Sequence, residues 1–149
     1  MLEVGNGGMS HNEYMVHFSL WAISKAPLLL GCDLRNLTSD IMSIVGNNEI
    51  IAVNQDFLGI QAKKVQNFGN KEVWAGPLFG NKVVVLFVNR QYKNVSMPAL
   101  WDDIGIPRNV RCTARDLWQH QDLNKTYHGR MTMYLTSHSC KMFVLTPIS

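Results

Sequence analysis

Apolar residues recur every three or four positions after Ser10, and this spacing predicts a helix running toward Pro27. Tyr14, Phe18, Trp21 and Ala22 form one stripe, and Val16, Leu20 and Ile23 form a second. A helix apolar on two sides is packed between layers. Ser10 suits the N-cap, with Glu13 placed to complete a capping box. Pro27 ends the segment, because proline disfavours helix in the residue before it. Ahead of the helix, Met1-Leu2-Glu3-Val4 reads as the end of a buried strand running into the glycine-rich loop Gly5-Asn6-Gly7-Gly8. The pattern is therefore expected to open inside a β/α architecture, at its last repeats.

Pro27 to Gly31 is a short, continuous apolar run, the pattern of a parallel strand buried on both faces. Cys32 to Asn36 forms the loop at its C-terminal end. Thr38 or Ser39 then caps a helix carrying Ile41, Met42, Ile44 and Val45, stopped by Gly46-Asn47-Asn48. A helical turn over Glu49 to Asn54 follows. Two parallel strands cannot close a barrel, which needs eight and about 250 residues.

Beyond residue 60 the pattern changes to short strands divided by turn residues. Lys71 to Ala75 and Lys82 to Arg90 flank a hairpin-like connection at 76–81. Val83 to Val88 is the longest apolar run of the chain. Asn94 to Met97 is a further strand, and Asp102 to Pro107 reads as a turn. Val110, Cys112 and Ala114 alternate with Arg111, Thr113 and Arg115, and Met131, Met133 and Leu135 alternate with Thr132, Tyr134 and Thr136. Cys140 to Thr146 is the last strand. Strands at this spacing predict an antiparallel β-sandwich. The expected division is residues 1–60, an incomplete β/α unit, and residues 61–149, the sandwich.

Composition narrows the function classes. A hydrophobic content of 46% with 17% charged residues fits a folded domain. The net charge of +3 comes from scattered Lys and Arg, without the clustering that nucleic-acid binding requires. No apolar stretch reaches the roughly 18 residues that span a bilayer. The first residues lack the charged and apolar regions of a signal peptide. Cys32, Cys112 and Cys140 have no metal-ligand spacing. They read as three small buried hydrophobes, with a Cys112–Cys140 pairing as the alternative. Three glycosylation sequons begin at Asn36, Asn94 and Asn124.

One set of segments is specific in its order. Met1-Leu2-Glu3-Val4-Gly5-Asn6-Gly7-Gly8-Met9 is followed by the run from Leu20-Trp21-Ala22 through Leu28-Leu29-Leu30-Gly31-Cys32-Asp33-Leu34-Arg35. Then come Ile51-Ala52-Val53-Asn54-Gln55-Asp56, Val73-Trp74-Ala75-Gly76-Pro77-Leu78, Ala114-Arg115-Asp116-Leu117-Trp118 and Lys141-Met142-Phe143-Val144-Leu145-Thr146-Pro147. Together they resemble the C-terminal part of the plant α-galactosidases, or melibiases, over nearly the whole chain. The resemblance implies the last two βα units of a (β/α)8 barrel followed by an antiparallel β-sandwich. It implies a glycoside hydrolase family that removes terminal α-linked galactose from galactosides by a retaining mechanism, with no cofactor or metal. It places both catalytic aspartates upstream of the segment matching Met1, so no catalytic residue is expected among these residues. Met1 resembles a methionine lining the galactose pocket and is the one substrate-binding residue carried over. The resemblance implies a secreted, cell-wall or vacuolar location for the family. Relatives usually have Pro where this chain has Phe57, and Gly where it has Ala62. If that glycine sits at positive φ, Ala62 is strained.

The remaining candidates have plainer readings beside them. Glu3 and Asp33 fall near C-terminal strand ends, the active face of a barrel, yet both suit local loop structure, with Asp33 paired to Arg35. His11, His17, His120, His128 and His138 are dispersed. Trp74, Trp101 and Trp118 offer either a sugar-stacking platform or core packing. The alternative function is a non-catalytic carbohydrate-binding or interaction module.

Overall fold

The computed structural model describes residues 1–148. Helix α1 (His11–Ile23) opens on the expected capping box: the Glu13 N–H donates to Ser10 Oγ at 3.3 Å, and the Ser10 N–H to Glu13 Oε2 at 2.7 Å. These bonds satisfy N–H groups that the helix itself leaves free. Helices α2 (Ser39–Val45) and α3 (Asn48–Asn54) are capped by Thr38 and Asn47. A single turn of 3-10 helix spans Leu34–Asn36. The segment Pro27 to Gly31 departs from its expected burial. It makes one parallel bridge, Leu30 to Leu2, and leaves Leu29 60% and Leu30 37% exposed. The helices cover one side of it, and among the described residues no strand pairs on its other edge.

Eight antiparallel strands follow: β1 (Lys63–Phe68), β2 (Lys71–Leu78), β3 (Lys82–Asn89), β4 (Val95–Leu100), β5 (Arg111–Asp116), β6 (Gln121–His128), β7 (Arg130–Leu135) and β8 (Ser139–Ile148). Their order is β1-β2-β3-β8-β5-β6-β7-β4. β6 and β7 meet only at His128 and Arg130, across Gly129 at φ +75°. The β7–β4 pair thus turns away from the larger sheet and packs over one of its faces. This is the expected sandwich.

The run Val83–Val88 is continuously apolar because both faces of β3 are covered. Val84, Leu86 and Val88 pack with Leu2, Val4, Phe18, Ala22, Ile50 and Val53 of the helical region. Val83, Val85 and Phe87 pack with Met97, Trp101, Met131 and Leu135 in the second core. The expected turn at Asp102–Pro107 contains a one-turn helix, α4 (Trp101–Ile104), closed by Gly105 at φ +79°. Its Trp101 is fully buried and donates from Nε1 to the Val110 carbonyl at 2.8 Å.

Candidate functional site

The rim formed by Met1–Val4 and the loop after Leu30 carries the residues expected to face a ligand. The Leu2 N–H donates to the Leu29 carbonyl at 2.7 Å, and the Gly31 N–H to the Leu2 carbonyl at 3.2 Å. Gly31 is required by this approach, since a Cβ there would lie 2.8 Å from the Leu2 oxygen. Met1 projects beside it, 75% exposed. The loop after Val4 turns through Gly5, Gly7 and Gly8, all near φ +90°, a region that L side chains avoid.

The carboxylates of this rim are engaged in local structure. Asp33 Oδ1 accepts from the Arg35 N–H and Nε, at 3.0 and 2.9 Å, and Oδ2 from Arg35 Nη2 at 2.8 Å. The Arg35 side chain thereby holds the Asp33 carboxyl below its ordinary range. Glu3 Oε2 accepts from Asn6 Nδ2 at 2.8 Å. The loop reading of both residues holds, and neither is a partner for the other in these contacts.

A second cluster of charge lies where α3 meets β5 and β6, a junction the sequence does not announce. Arg115 donates from Nε and Nη2 to the two carboxylate oxygens of Glu49, each at 2.8 Å, and from Nη1 to Asp122 at 3.3 Å. His120 Nδ1 lies 2.9 Å from Glu49. Arg115 is the main reason the Glu49 carboxyl is held low. The cleft beside them has a volume of about 740 Å³.

The other expected candidates are placed as follows. All three cysteines are free. Cys140 belongs to the core beside α1 and Cys112 to the opposite core, so the sheet separates them and the weighed Cys112–Cys140 pairing does not form. Asn36, Asn94 and Asn124 are exposed. Trp118 donates to Ser19 Oγ at 3.0 Å and packs edge-on to Phe18; Trp74 donates to Glu72 at 3.3 Å beneath the Lys64 ammonium. With Trp101 buried, the three indoles serve packing and build no shared platform. Among the described residues, no three His, Cys, Asp or Glu side chains gather as a metal-ligating group. Among the described residues, no helix is long and apolar enough to cross a membrane.

Family comparison matches residues 68–145 to the alpha galactosidase C-terminal beta sandwich domain and residues 1–56 to alpha galactosidase A. The chain belongs to the α-galactosidase family. An α-galactosidase of Oryza sativa subsp. japonica is 51% identical over 99% of this chain and 35% of its own length. α-Galactosidase 3 of Arabidopsis thaliana is 48% identical over 99% of this chain and 34% of its own. In the crystal structure of α-galactosidase I from Mortierella vinacea, 38% of the chain superposes on 98% of this one, with a TM-score of 0.93 and 35% identity. The chain thus spans about a third of the length of the curated relatives it matches.

Proposed function

We propose that residues 1–60 are the last two βα units of a (β/α)8 barrel, that residues 61–149 are its β-sandwich, and that the assembly hydrolyses terminal α-linked galactose from galactosides. One observation carries this reading. Leu2 and Leu30 pair as parallel neighbours, helices α1 to α3 cover one side, and the apolar Leu29 and Leu30 are left uncovered. Uncovered apolar strand positions with an open edge need further strands. In a closed barrel those strands would also bring the two carboxylates of the retaining reaction, which must stand about 5–5.5 Å apart. Met1, at the rim beside Gly31, is then placed to give the sugar an apolar contact. A secretory route, with glycans on Asn36, Asn94 and Asn124, fits the exposure of all three side chains.

The test uses an aryl α-galactoside. The 149-residue chain alone is expected to give no turnover. Joined to the preceding barrel portion of the Oryza relative, it is expected to support turnover, with KM raised by Met1→Ala. Turnover by the chain alone that is lost in Glu3→Gln or Asp33→Asn would overturn the reading. So would a folded but inactive chimera.

A further inference from the structure

Two side chains of helix α1 accept hydrogen bonds from backbone N–H groups of the segment ahead of it. The Gly7 N–H donates to Tyr14 Oη at 2.7 Å, and the Glu3 N–H donates to His17 Nε2 at 3.1 Å. Tyr14 and His17 are three residues apart and share a helix face. The polar groups of Leu2 both serve the Leu29–Gly31 segment, so those of Glu3 point to the opposite side. There the Glu3 carbonyl accepts from the Asn6 N–H at 3.1 Å, and the Glu3 N–H meets the imidazole. The Trp21 ring, 4.8 Å away between centroids, holds the His17 ring in place. A ring nitrogen accepts a hydrogen bond only when it carries no proton, so Nε2 is bare and Nδ1 is protonated.

We propose that His17 is a proton-controlled latch for the strand end Met1–Val4: neutral, it fixes the Glu3 backbone; protonated, it lets go. A protonated Nε2 would present one donor to another, and the hydrogen bond has no second form. The charges around the ring act in both directions. Glu3 on the strand favours the protonated ring, and the amino group of Met1 opposes it. Glu13 of the same helix, and from other elements Arg90 after β3 and His138 before β8, line the adjoining cavity of about 430 Å³. Burial is the largest influence and pushes the ring below the ordinary imidazole range. The latch is therefore closed at neutral pH and opens on the acid side. Its effect on sugar binding, through Met1 two residues away, rests on the α-galactosidase reading; the latch itself does not.

The experiment is hydrogen exchange at the Glu3 amide by NMR in the whole chain, between pH 8 and pH 5, with the His17 ring nitrogens followed in the same samples. After correction for intrinsic exchange, Glu3 is expected to exchange about fivefold faster once His17 is protonated, as befits loss of one net hydrogen bond. His17→Gln keeps an acceptor and should make the protection independent of pH. His17→Phe should remove it at every pH while the amides of α1 stay protected. Should His17→Phe fail to fold, the wild-type titration and His17→Gln decide the matter alone. Glu3 protection that ignores the His17 titration, or a bare Nδ1 with a protonated Nε2 at neutral pH, would overturn the latch. No galactoside enters this test, so its failure leaves the proposed activity standing.

Discussion

Asn47 joins the helical region to the sandwich, and its removal tests whether the two melt as one unit. The side chain is 3% exposed. Its Oδ1 accepts from the N–H groups of Glu49 and Ile50, at 3.1 and 3.2 Å, and caps α3. Its Nδ2 donates to the Leu117 carbonyl at 3.1 Å, seventy residues away at the end of β5. Asn47→Ala loses the cap, worth about 1 kcal/mol, and leaves a buried carbonyl without a partner, costing about 1–3 kcal/mol. The expected destabilisation is about 2–4 kcal/mol. Asn47→Ser keeps a capping oxygen but not the reach to Leu117, so it should recover only the smaller part. The assay is urea unfolding followed by far-UV circular dichroism and by tryptophan fluorescence. Trp118 reports on the junction, since its indole donates to Ser19 of α1. Both signals should shift together in the variants. A loss below about 0.5 kcal/mol for Asn47→Ala, the range of an ordinary surface change, would refute the reasoning. So would helical signal that melts ahead of the fluorescence.

The remaining expectations concern charge, thiols and a close approach. Glu72 is buried, which raises its pKa, but hydrogen bonds from Arg90 and Lys64 outweigh this and hold it below the ordinary glutamate range. Its stabilisation is therefore complete above the unfolded glutamate titration and is lost as pH falls below it. Because both partners are partly exposed, Glu72→Gln should cost about 1–3 kcal/mol at neutral pH, and the gap to wild type should narrow in urea melts as pH falls through the lowered titration of the folded carboxyl. The Cys140 thiol is pushed up to about 12 by burial, and burial also raises Cys112. A disulfide reagent at pH 8 should therefore label Cys32 alone in the folded chain and all three thiols in urea; rapid native labelling of Cys140 would contradict its place in the core. A Cβ on Gly76 would lie 2.8 Å from the Ala62 Cα. Gly76→Ala should cost about 1–3 kcal/mol in the same melts, and Ala62→Gly should not rescue it, because the obstructing atom is backbone.

Where local chemistry decides an element, the sequence was sufficient. Ser10 with Glu13 marked the start of α1, and Val110, Cys112 and Ala114 marked the buried face of β5; both are observed. The strand β6 was not legible, because only Leu123 and Tyr127 along it turn inward and no alternation stands out. α4 was hidden for a different reason. Asp102, Asp103 and Gly105 are turn residues, and the left-handed Gly105 that signals a turn also closes a single helical turn. At Ala62 the condition for strain is not met: it is not among the residues at positive φ, so replacing a glycine there costs no backbone strain. Its small size matters instead, because it lies against Gly76.

The site was legible only in part, for a reason that lies in the packing. Glu3 and Asp33 were placed by strand-end position and Met1 by the family resemblance; the partners of Glu3 and Asp33 lie two or three residues away. The contacts that fix the geometry join distant positions: Asn47 to Leu117, Arg115 to Glu49, Ser19 to Trp118 and Asn54 to the carbonyls of Ala22 and Ala26. Side chains such as Asn47 and Asn54 look like helix stops in one dimension because their partners are absent from it. Val84, Leu86 and Val88 form part of the core under α1, while Val83, Val85 and Phe87 form part of the sandwich core. One strand therefore carries two cores, and a change on either face of it is transmitted to both. In the proposed enzyme, the sandwich thus acts on the sugar pocket through α1: β3 and β8 seat the helix, the helix seats the Met1–Val4 strand end, and that strand end presents the rim.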